Sequence, residues 1–440
     1  MSLITNSVEI DEERDQEERK KSPILLSKEL NDFYASHNVD LTGLLEGSTQ
    51  ENNASPLPHR FIRLNPRHNQ NETLALLGRE LGGGKEAVPV PWLQDNWGFY
   101  ALPGNFPLAT SQCFRRGRIY GMDVSSGAGV AALLSSNYDK KPCESYTKSL
   151  HGVRVLDLCC APGLKICAMA DFLQERKATL VGVDISENRM AVCKNIVQKY
   201  HVDPETCRKQ SQSGAATIQL YCQDGTTFGM DQKESNLVFD SRAAVEELSS
   251  RGKRKRMNKS ARARERKRLR RLASRDWHSS VDDTQVAEPK IDLFDYVLVD
   301  AECSTDGSLK HMKERAKDIT TKEEKNPMLT NQAQLADLVN LQKRLIASGF
   351  RLLRPGGALV YSTCSLSQEQ NENVVQWLLH KFSDSELVPV RFLSARSKLV
   401  SEGNLQGTVR FYPNCGNDDS TAYFGDGFFL AKIMKRQNDV

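Results

Sequence analysis

The chain has 440 residues, of which 39% are hydrophobic and 26% charged, and its formal net charge is +4. This length favours two domains, one of them enlarged. No apolar run approaches the roughly 18 residues of a membrane span, so we expect no membrane partner. The first residues mix acidic and basic side chains without an apolar stretch, which argues against a secretory signal and against an acid-poor transit peptide.

The eleven cysteines are an odd number, and apart from Cys159–Cys160 they are scattered singly. No pair has C-x-x-C spacing, and no histidine stands at a spacing typical of zinc sites. We therefore expect neither a disulfide framework nor a metal, and we place the protein in a reducing compartment. Most of these thiols are expected to be small buried side chains, so only the sequence context singles out a functional one.

In chain order, residues 1–24 are predicted to form a disordered tail. Residues 25–135 resemble a small α+β module, with a short helix at 25–37, a strand in "RFIRLN", a helix in "NETLALLGRELGG" and strand-like pieces in "VPVPWL" and "WGFYAL". The arginines of this module either contact phosphates or are ordinary solvated side chains; they are Arg60, Arg63, Arg67, Arg115, Arg116 and Arg118.

From about residue 150 strands and helices alternate, which is typical of a parallel sheet. Strands are predicted in "VRVLDL", "ATLVGVDIS", "ATIQLYCQD", "FDYVLVD" and "ALVYSTCS", with "GTVRFYPN" and "DGFFLAKI" as an antiparallel pair at the sheet edge. The predicted fold class is therefore α/β. A Rossmann-like, mostly parallel sheet with an antiparallel edge hairpin occupies residues 136–440, next to the smaller N-terminal α+β module.

A polar insertion of some sixty residues, about 230–290, separates the third and fourth of these strands and is predicted to be flexible. Its basic run, Arg251 to Arg275, holds 14 Lys and Arg and one acidic residue, so its charge of +13 leaves −9 for the rest of the chain. Three interpretations stay open: a solvated loop, an arm that binds RNA phosphates, and a nuclear import signal. The import signal would place the protein in the nucleus or nucleolus; otherwise we expect the cytoplasm.

Five chemically capable side chains fall at the ends of predicted parallel strands, where ligands of open sheets bind: Asp184, Asp224, Asp300, Cys303 and Cys364. The first loop, "DLCCAPGLK", has one glycine and a proline, so it lacks the glycines that cradle a dinucleotide pyrophosphate. Asp184 is placed to hold ribose hydroxyls, and Asp224 is placed near an adenine amine. This pattern favours S-adenosylmethionine as the cofactor, with a generic strand–turn–helix as the alternative on spacing alone.

The two cysteines suit a two-thiol mechanism. Cys364 precedes a helix whose predicted capping box is Ser367 with Gln370, so we expect the helix N-terminus to stabilise its thiolate. A thiolate added at carbon 6 of cytosine makes carbon 5 nucleophilic enough to take a methyl group. The second thiol, Cys303, can then assist release of the adduct. An aspartate that contacts ring nitrogen 3 and the exocyclic amine would stabilise the adduct by hydrogen bonding.

Together these segments resemble the RsmB/Nop/Sun family of S-adenosylmethionine-dependent RNA cytosine-5 methyltransferases over roughly residues 55–436. "DLCCAPGLK" is similar to the family's cofactor loop, and "VLVDAECSTDG" to its aspartate-proline-cysteine motif. "YSTCS" matches its threonine-cysteine-serine motif, and "RFYPN" with "DGFFLAKI" resembles its C-terminal signature. The threonine-cysteine-serine motif alone is weak, but all of these motifs in this order are a strong signal.

The resemblance implies a class I methyltransferase domain, an rRNA or tRNA partner, and an N-terminal module that contacts RNA. It implies that Cys364 is the nucleophile, that Cys303 assists product release and that Asp300 contacts the base. The residues implied to hold the cofactor are Cys159, Cys160, Ala161, Pro162, Gly163, Leu164, Lys165, Asp184, Asp224 and Asp300. Neither a metal nor an obligate protein partner is expected.

Two residues depart from the family pattern. Glu302 stands where the family has proline beside the release cysteine, which frees the backbone before Cys303. Leu164 stands where the family has a second glycine, which narrows the loop. Neither change removes a reacting group, so we predict an active RNA cytosine-5 methyltransferase. The alternative is a catalytically degenerate scaffold that holds rRNA or tRNA during maturation. DNA methylation is disfavoured, because its nucleophile belongs to the Cys303 loop, usually beside proline.

Overall fold

The structure is a computed structural model. It describes residues 32, 35–36, 60–90, 93, 97–135, 152–174, 177–202, 216–230, 236–250, 291–308, 332–390, 400–412 and 426–437. The predicted tail at 1–24 and the basic run at 251–275 lie outside these residues, as does nearly all of the helix predicted at 25–37.

The N-terminal module is a four-stranded antiparallel sheet with one longer helix. Its strands are β1 (Arg60–Leu64), β2 (Val88–Pro89), β3 (Phe99–Leu102) and β4 (Ile119–Gly121), in the order β2-β3-β1-β4. Helix α1 (Gln70–Leu81) begins after Asn69, whose side chain accepts a hydrogen bond from the Glu72 amide, and ends at Gly82 with a positive φ of 67°. The predicted helix and its end at a glycine are therefore confirmed, but the helix is capped by Asn69, ahead of the predicted segment, which begins at Asn71. A one-turn helix, α2 (Gln112–Arg115), precedes β4.

Three further helices and three strands follow: α3 (Val124–Leu134), β5 (Arg154–Asp157), α4 (Leu164–Phe172), β6 (Thr179–Asp184), α5 (Glu187–His201) and β7 (Thr217–Cys222). Then come β8 (Leu237–Asp240), α6 (Ser241–Ser250), β9 (Phe294–Asp300), α7 (Gln332–Arg351), β10 (Leu353–Thr363), α8 (Glu372–Lys381), β11 (Ser385–Val388), β12 (Val400–Glu402), β13 (Val409–Phe411) and β14 (Phe428–Lys435).

The second sheet has the order β12-β13-β14-β10-β9-β5-β6-β7-β8, and β11 pairs with β14 beside this path. The central strands from β10 to β7 are parallel, whereas β8 and the strands beyond β10 are antiparallel. The predicted fold class is confirmed, including the antiparallel pairing of β13 with β14. The chain order switches at β5, which lies between β9 and β6, so a crevice opens at the carboxyl ends of these three strands.

Helices cover both faces of this sheet because its central strands are apolar on both sides. On one face α3, α4 and α5 pack over strand residues that include Val155 and Leu298. On the other face α7 and α8 pack over the alternate strand residues, which include Leu156 and Val297. The two hydrophobic layers fix the strands so that their carboxyl ends share one edge.

Part of the predicted insertion at 230–290 is regular structure. Strand β8 pairs antiparallel with β7, and Asp240 at its end accepts hydrogen bonds from the amides of Arg242 and Ala243 in the first turn of α6. The prediction of one flexible segment from 230 was therefore wrong at its N-terminal end. A four-residue strand in a polar neighbourhood gives too short an alternation to recognise.

The N-terminal module is joined to the main domain by α3 and by buried ion pairs. Helix α3, assigned from sequence to the module, packs against α4, β9, β10 and β14. Arg63 and Arg67 were expected to be solvated or to face phosphates, but both side chains are buried and contact Asp171 of α4 at 2.8 and 3.0 Å. The hydroxyl of Tyr120 donates to the same carboxylate at 2.8 Å. These two arginines therefore hold the module in place.

Candidate active site

The two cysteines singled out from sequence lie next to each other. Cys303 follows the end of β9 and Cys364 follows the end of the neighbouring strand β10, and their Sγ atoms are 3.1 Å apart. Cys303 is 7% exposed, whereas Cys364 is partly exposed. The convergence follows from the topology, because adjacent parallel strands deliver their C-terminal loops to the same edge of the sheet.

Direct hydrogen bonds tie the two cysteine loops together. The Gly307 amide donates to the Cys364 carbonyl at 2.9 Å, and a Cβ built on Gly307 would lie 2.8 Å from that oxygen, so a larger residue does not fit. The Leu366 amide donates to Oδ2 of Asp306 at 2.7 Å. The Ser304 amide donates to Oε1 of Gln370 at 3.0 Å. Each loop is thus held by groups of the other.

The capping box predicted from Ser367 and Gln370 is not formed. Helix α8 begins at Glu372, after Asn371, so a seven-residue connection separates Cys364 from its first residue. The Ser367 hydroxyl donates to Glu369, and Gln370 is fully buried against Ser304. Cys364 is therefore not directly ahead of a helix N-terminus, which is the position that the expected thiolate stabilisation required.

The surroundings of Cys364 keep its thiol protonated in the free protein. Its pKa lies well above the usual value, because of the contact with the Cys303 thiol, its burial, and the negative charges of Asp300 and Asp306. The pair therefore resembles a resting dithiol more than a preformed thiolate.

Asp300, at the end of β9, accepts two strong hydrogen bonds. Lys165 Nζ lies 2.6 Å from its Oδ2, and the Ser362 hydroxyl lies 2.7 Å from its Oδ1. Burial lowers the pKa of Lys165, but the charge of Asp300 outweighs it, so the pKa is raised and the amine stays charged. The predicted cofactor loop and the predicted base-contacting aspartate are thereby linked by a salt bridge.

The loop from β5 to α4 is shaped by a glycine. Gly163 has a φ of 106°, and a Cβ at this position would lie 2.8 Å from Sγ of Cys193 on α5. The amide of Cys160 donates to the Val183 carbonyl of β6 at 3.0 Å, which holds the loop beside the next strand. Leu164 begins α4, and its side chain packs against the hydrophobic core beneath the loop.

The acids at the strand ends suit a ligand with hydroxyl and cationic groups. Asp184 is 4% exposed and uses Oδ1 to accept the Ser186 amide at 2.9 Å. Asp224 lies two residues beyond the end of β7, where its Oδ1 accepts the Thr226 amide at 2.8 Å. Both carboxylates retain lone pairs for further donors.

Two residues of this crevice, Asp157 and Ile185, were not predicted from the sequence. Asp157, the last residue of β5, is 1% exposed, and neither of its carboxylate oxygens has a hydrogen-bond partner among the described residues. Burial raises its pKa to about 7, against the lowering influence of Lys165. Ile185, directly after Asp184, is 56% exposed. An apolar side chain next to an acidic strand end was the signal for Ile185.

These features fit S-adenosylmethionine, since an unpaired buried carboxylate suits a cation, an acidic strand end suits a ribose and an exposed isoleucine suits a flat base. Among the described residues, no group of three or more His, Cys, Asp or Glu side chains is arranged to hold a metal ion. In the same part of the chain, no helix has the length and apolar character needed to cross a bilayer.

Known proteins resemble this chain in sequence. The family model described as 16S rRNA methyltransferase RsmB/F matches residues 251–434. The Ribosomal RNA small subunit methyltransferase F of Escherichia coli O139:H28 is 27% identical over 360 residues, which cover 80% of this chain and 53% of that protein. The protein of that name from Klebsiella pneumoniae is 26% identical and is covered to 52%. The chain spans about half the length of these curated relatives.

Solved structures resemble the fold. A methyltransferase homologue from Pyrococcus horikoshii has a TM-score of 0.50 at 21% identity, with 94% of this chain and 100% of that chain covered. NSun6 from Pyrococcus horikoshii with SFG has a TM-score of 0.54 at 16% identity, with coverages of 94% and 99%. The fold is that of the class I S-adenosylmethionine-dependent methyltransferases. Within that class, the family model and the curated relatives point to one group: residues 251–434 match the RsmB/F methyltransferase model, and the chain is similar to the small subunit methyltransferase F proteins.

Proposed function

We propose that this protein is an RNA cytosine-5 methyltransferase that uses S-adenosylmethionine and works through a covalent bond between Cys364 and the base. The observation that carries the proposal is the 3.1 Å approach of the Cys303 and Cys364 sulfurs at the crevice edge. An RNA substrate is supported by the names of the curated relatives, which are ribosomal RNA methyltransferases.

The chemistry requires the two thiols to act in turn. The Cys364 sulfur adds to carbon 6 of cytosine as its thiol proton passes to ring nitrogen 3, and the electron pair of the 5,6 double bond becomes available at carbon 5. S-adenosylmethionine supplies the methyl group that carbon 5 takes. The carbon-5 proton must then leave as the bond between Cys364 and carbon 6 breaks. Cys303 is the neighbouring group that assists this elimination.

Asp300 is proposed to contact ring nitrogen 3 and the amine of the base. Its carboxylate already accepts from Lys165 and Ser362, but two oxygens offer about four lone pairs, so a further donor can be accommodated. Lys165 holds the Asp300 carboxylate in a fixed orientation, so that the carboxylate stays directed toward the base. Loss of this salt bridge would therefore be expected to weaken base contact before it weakens the fold.

The cofactor is proposed to lie across the carboxyl ends of β5, β6 and β7. The residues assigned to it are Asp184 and Asp224 with the loop residues Cys159, Cys160, Ala161, Pro162, Gly163, Leu164 and Lys165. Asp157 and Ile185 are added to this set. The carboxylate oxygens of Asp157 have no hydrogen-bond partner in the described residues, and the side chain of Ile185 is exposed, and both properties suit the same ligand.

The RNA is proposed to be rRNA or tRNA, bound by the N-terminal module and by the basic run at 251–275. Within the module, Arg60 and Arg115 use only backbone carbonyls as partners for their Nε atoms and are exposed, which leaves their charge available to phosphates. The basic run is also proposed as a nuclear or nucleolar import signal. A fluorescent fusion with and without residues 251–275 tests that localisation.

Purified protein, labelled S-adenosylmethionine and total RNA test the proposal, with bisulfite sequencing to locate the modified cytosine. Cys364→Ala should abolish methyl transfer, whereas Cys303→Ala should accumulate a protein–RNA species that survives denaturing electrophoresis. Cys113→Ala, which removes a thiol in the N-terminal module, is the matched control. Full methylation by Cys364→Ala would refute the covalent mechanism. No methylation by the unaltered chain on any RNA would favour the binding-scaffold alternative.

A further inference from the structure

One buried glutamine reaches the residue before Cys303. Gln342, in the middle of α7, is 0% exposed, and its Nε2 donates to the carbonyl of Glu302 at 2.8 Å. The same nitrogen lies 3.3 Å from Oε1 of Gln370. Its own Oε1 has no hydrogen-bond partner within the described part of the chain.

If Gln342 served only to stabilise the fold, its buried and unpaired amide oxygen would be unfavourable. A buried amide oxygen without a partner loses its hydration, and an apolar side chain of similar volume would avoid that loss. Gln342 serves two acceptors, the carbonyl of the exposed residue Glu302 and Oε1 of the buried Gln370. Apolar packing therefore does not explain a glutamine here, whereas its hydrogen bonds to Glu302 and Gln370 do.

That carbonyl sets the peptide plane between Glu302 and Cys303. Residue 302 is a glutamate and not a proline, so no ring restricts the backbone before the thiol. On the other side of Cys303, the Ser304 amide donates to Oε1 of Gln370 at 3.0 Å, and Gln370 returns a hydrogen bond to the Ser304 hydroxyl at 2.7 Å. Gln342 contacts both the Glu302 carbonyl and Gln370, so the peptide planes before and after Cys303 are both held through it.

We propose that Gln342 is a positioning residue that keeps the Cys303 thiol against Cys364 and so replaces the rigidity of a proline at 302. The inference rests on the proposed two-thiol mechanism. Gln342 itself touches no reacting atom and acts through Glu302 and Gln370. The step that depends on it is release of the methylated base, which uses Cys303, and not the first addition by Cys364.

Gln342→Met tests this role, because methionine keeps the length and volume of the side chain but donates no hydrogen bond. Gln376→Met, at an exposed position of α8, is the matched control. The expected result is a turnover lower by about tenfold, the effect of one lost hydrogen bond, with a larger steady-state fraction of covalent protein–RNA adduct. The melting temperature should stay within about 3 °C of the unaltered protein.

A second substitution separates positioning from a general loss of structure. In the Gln342→Met background, Glu302→Pro should restore part of the release rate, because the ring fixes φ at residue 302 and so restricts the backbone whose carbonyl the glutamine held. A purely structural effect of Gln342→Met would not be rescued in this way. If Gln342→Met does not fold, Gln342→Asn serves instead, since it keeps the amide but withdraws it by one methylene.

A probe without RNA keeps this inference distinct from the proposed function. Phenylarsine oxide binds two adjacent thiols by forming two arsenic–sulfur bonds and releasing water, so its affinity reports the Cys303–Cys364 separation. Gln342→Met should weaken capture by about tenfold, and Cys364→Ser should reduce capture to the level of the remaining cysteines. Unchanged capture together with an unchanged adduct fraction would overturn the positioning role. If Gln342→Met weakens capture but the unaltered protein methylates no RNA, the positioning role is retained and the proposed reaction is rejected.

Discussion

Asp157→Asn is predicted to stabilise the free protein at neutral and alkaline pH. The carboxyl of Asp157 is 1% exposed and its oxygens have no hydrogen-bond partner in the described residues, so its ionised form is poorly solvated. Burial raises its pKa from an ordinary 3.8 to about 7. Asparagine has nearly the same shape and carries no charge, so the variant removes the cost of ionisation without opening a cavity.

The sign and size of the effect follow from proton binding. Between about pH 4 and pH 7 the folded protein keeps a proton on Asp157 that the unfolded chain has lost, so the stability of the unaltered protein falls as pH rises. Above about pH 7 both states are ionised and the contribution is constant. At about 1.4 kcal/mol for each pH unit, the free energy of unfolding should decrease by about 2–3 kcal/mol between about pH 5 and pH 8 because of this residue.

Urea unfolding of both proteins at several pH values measures this contribution, since other groups titrate equally in both and cancel in the difference. The difference between Asp157→Asn and the unaltered protein should grow by that amount toward pH 8. Asp337→Asn, at an exposed position of α7, is the control for removal of a carboxylate. A difference that stays constant with pH would mean that the Asp157 carboxyl is solvated, which would also remove the argument for a cationic ligand beside it.

Three further predictions concern the cysteine loops and the RNA. Cys303→Ala should form its RNA adduct at lower pH than a protein that retains Cys303, because the substitution removes the largest cause of the raised pKa of Cys364. Adduct formation measured as a function of pH tests this, and identical pH profiles for the two proteins would contradict it. Arg410→Met should cost about 3–5 kcal/mol in urea unfolding, because it strands the buried carboxylate of Glu372, and adding Glu372→Gln should recover part of the loss. Deletion of residues 251–275 should weaken RNA binding and flatten its salt dependence, whereas equal slopes would assign that run to another role.

The positions of the catalytic candidates could be predicted because they depend on topology. A strand that ends on an acid or a cysteine delivers it to the sheet edge whatever its neighbours are, and the parallel order of β9 and β10 brings Cys303 beside Cys364. Gly163 has the positive φ that favours glycine, but the sequence assigned it to the cofactor loop only through the family resemblance and did not predict its backbone conformation.

Features that depend on distant partners could not be predicted. The capping box failed because Gln370 forms its hydrogen bonds with Ser304, 66 residues earlier, and not with the start of α8. Arg63 is buried because Asp171, 108 residues later, lies opposite it. Gln342 acts on Glu302 across 40 residues. In each case the neighbouring sequence is equally compatible with a side chain exposed to solvent. Only the packing of the sheet and helices brings in the distant partner that buries it.

The C-terminal motifs hold the two cysteine loops in place. Arg410, the first residue of "RFYPN", donates to the Leu366 carbonyl at 2.7 Å and binds Glu372, so it fixes the loop that carries Cys364. The amide of Gly427, in "DGFFLAKI", donates at 2.8 Å to the carbonyl of Gly307 in the loop that carries Cys303. Arg410 of β13 and Gly427, directly before β14, thus brace the two loops that carry the thiols. A substitution in either motif would therefore change the distance between the sulfurs before it exposed any of the core, and would be expected to reduce dithiol capture while leaving the melting temperature nearly unchanged wherever no buried charge is stranded.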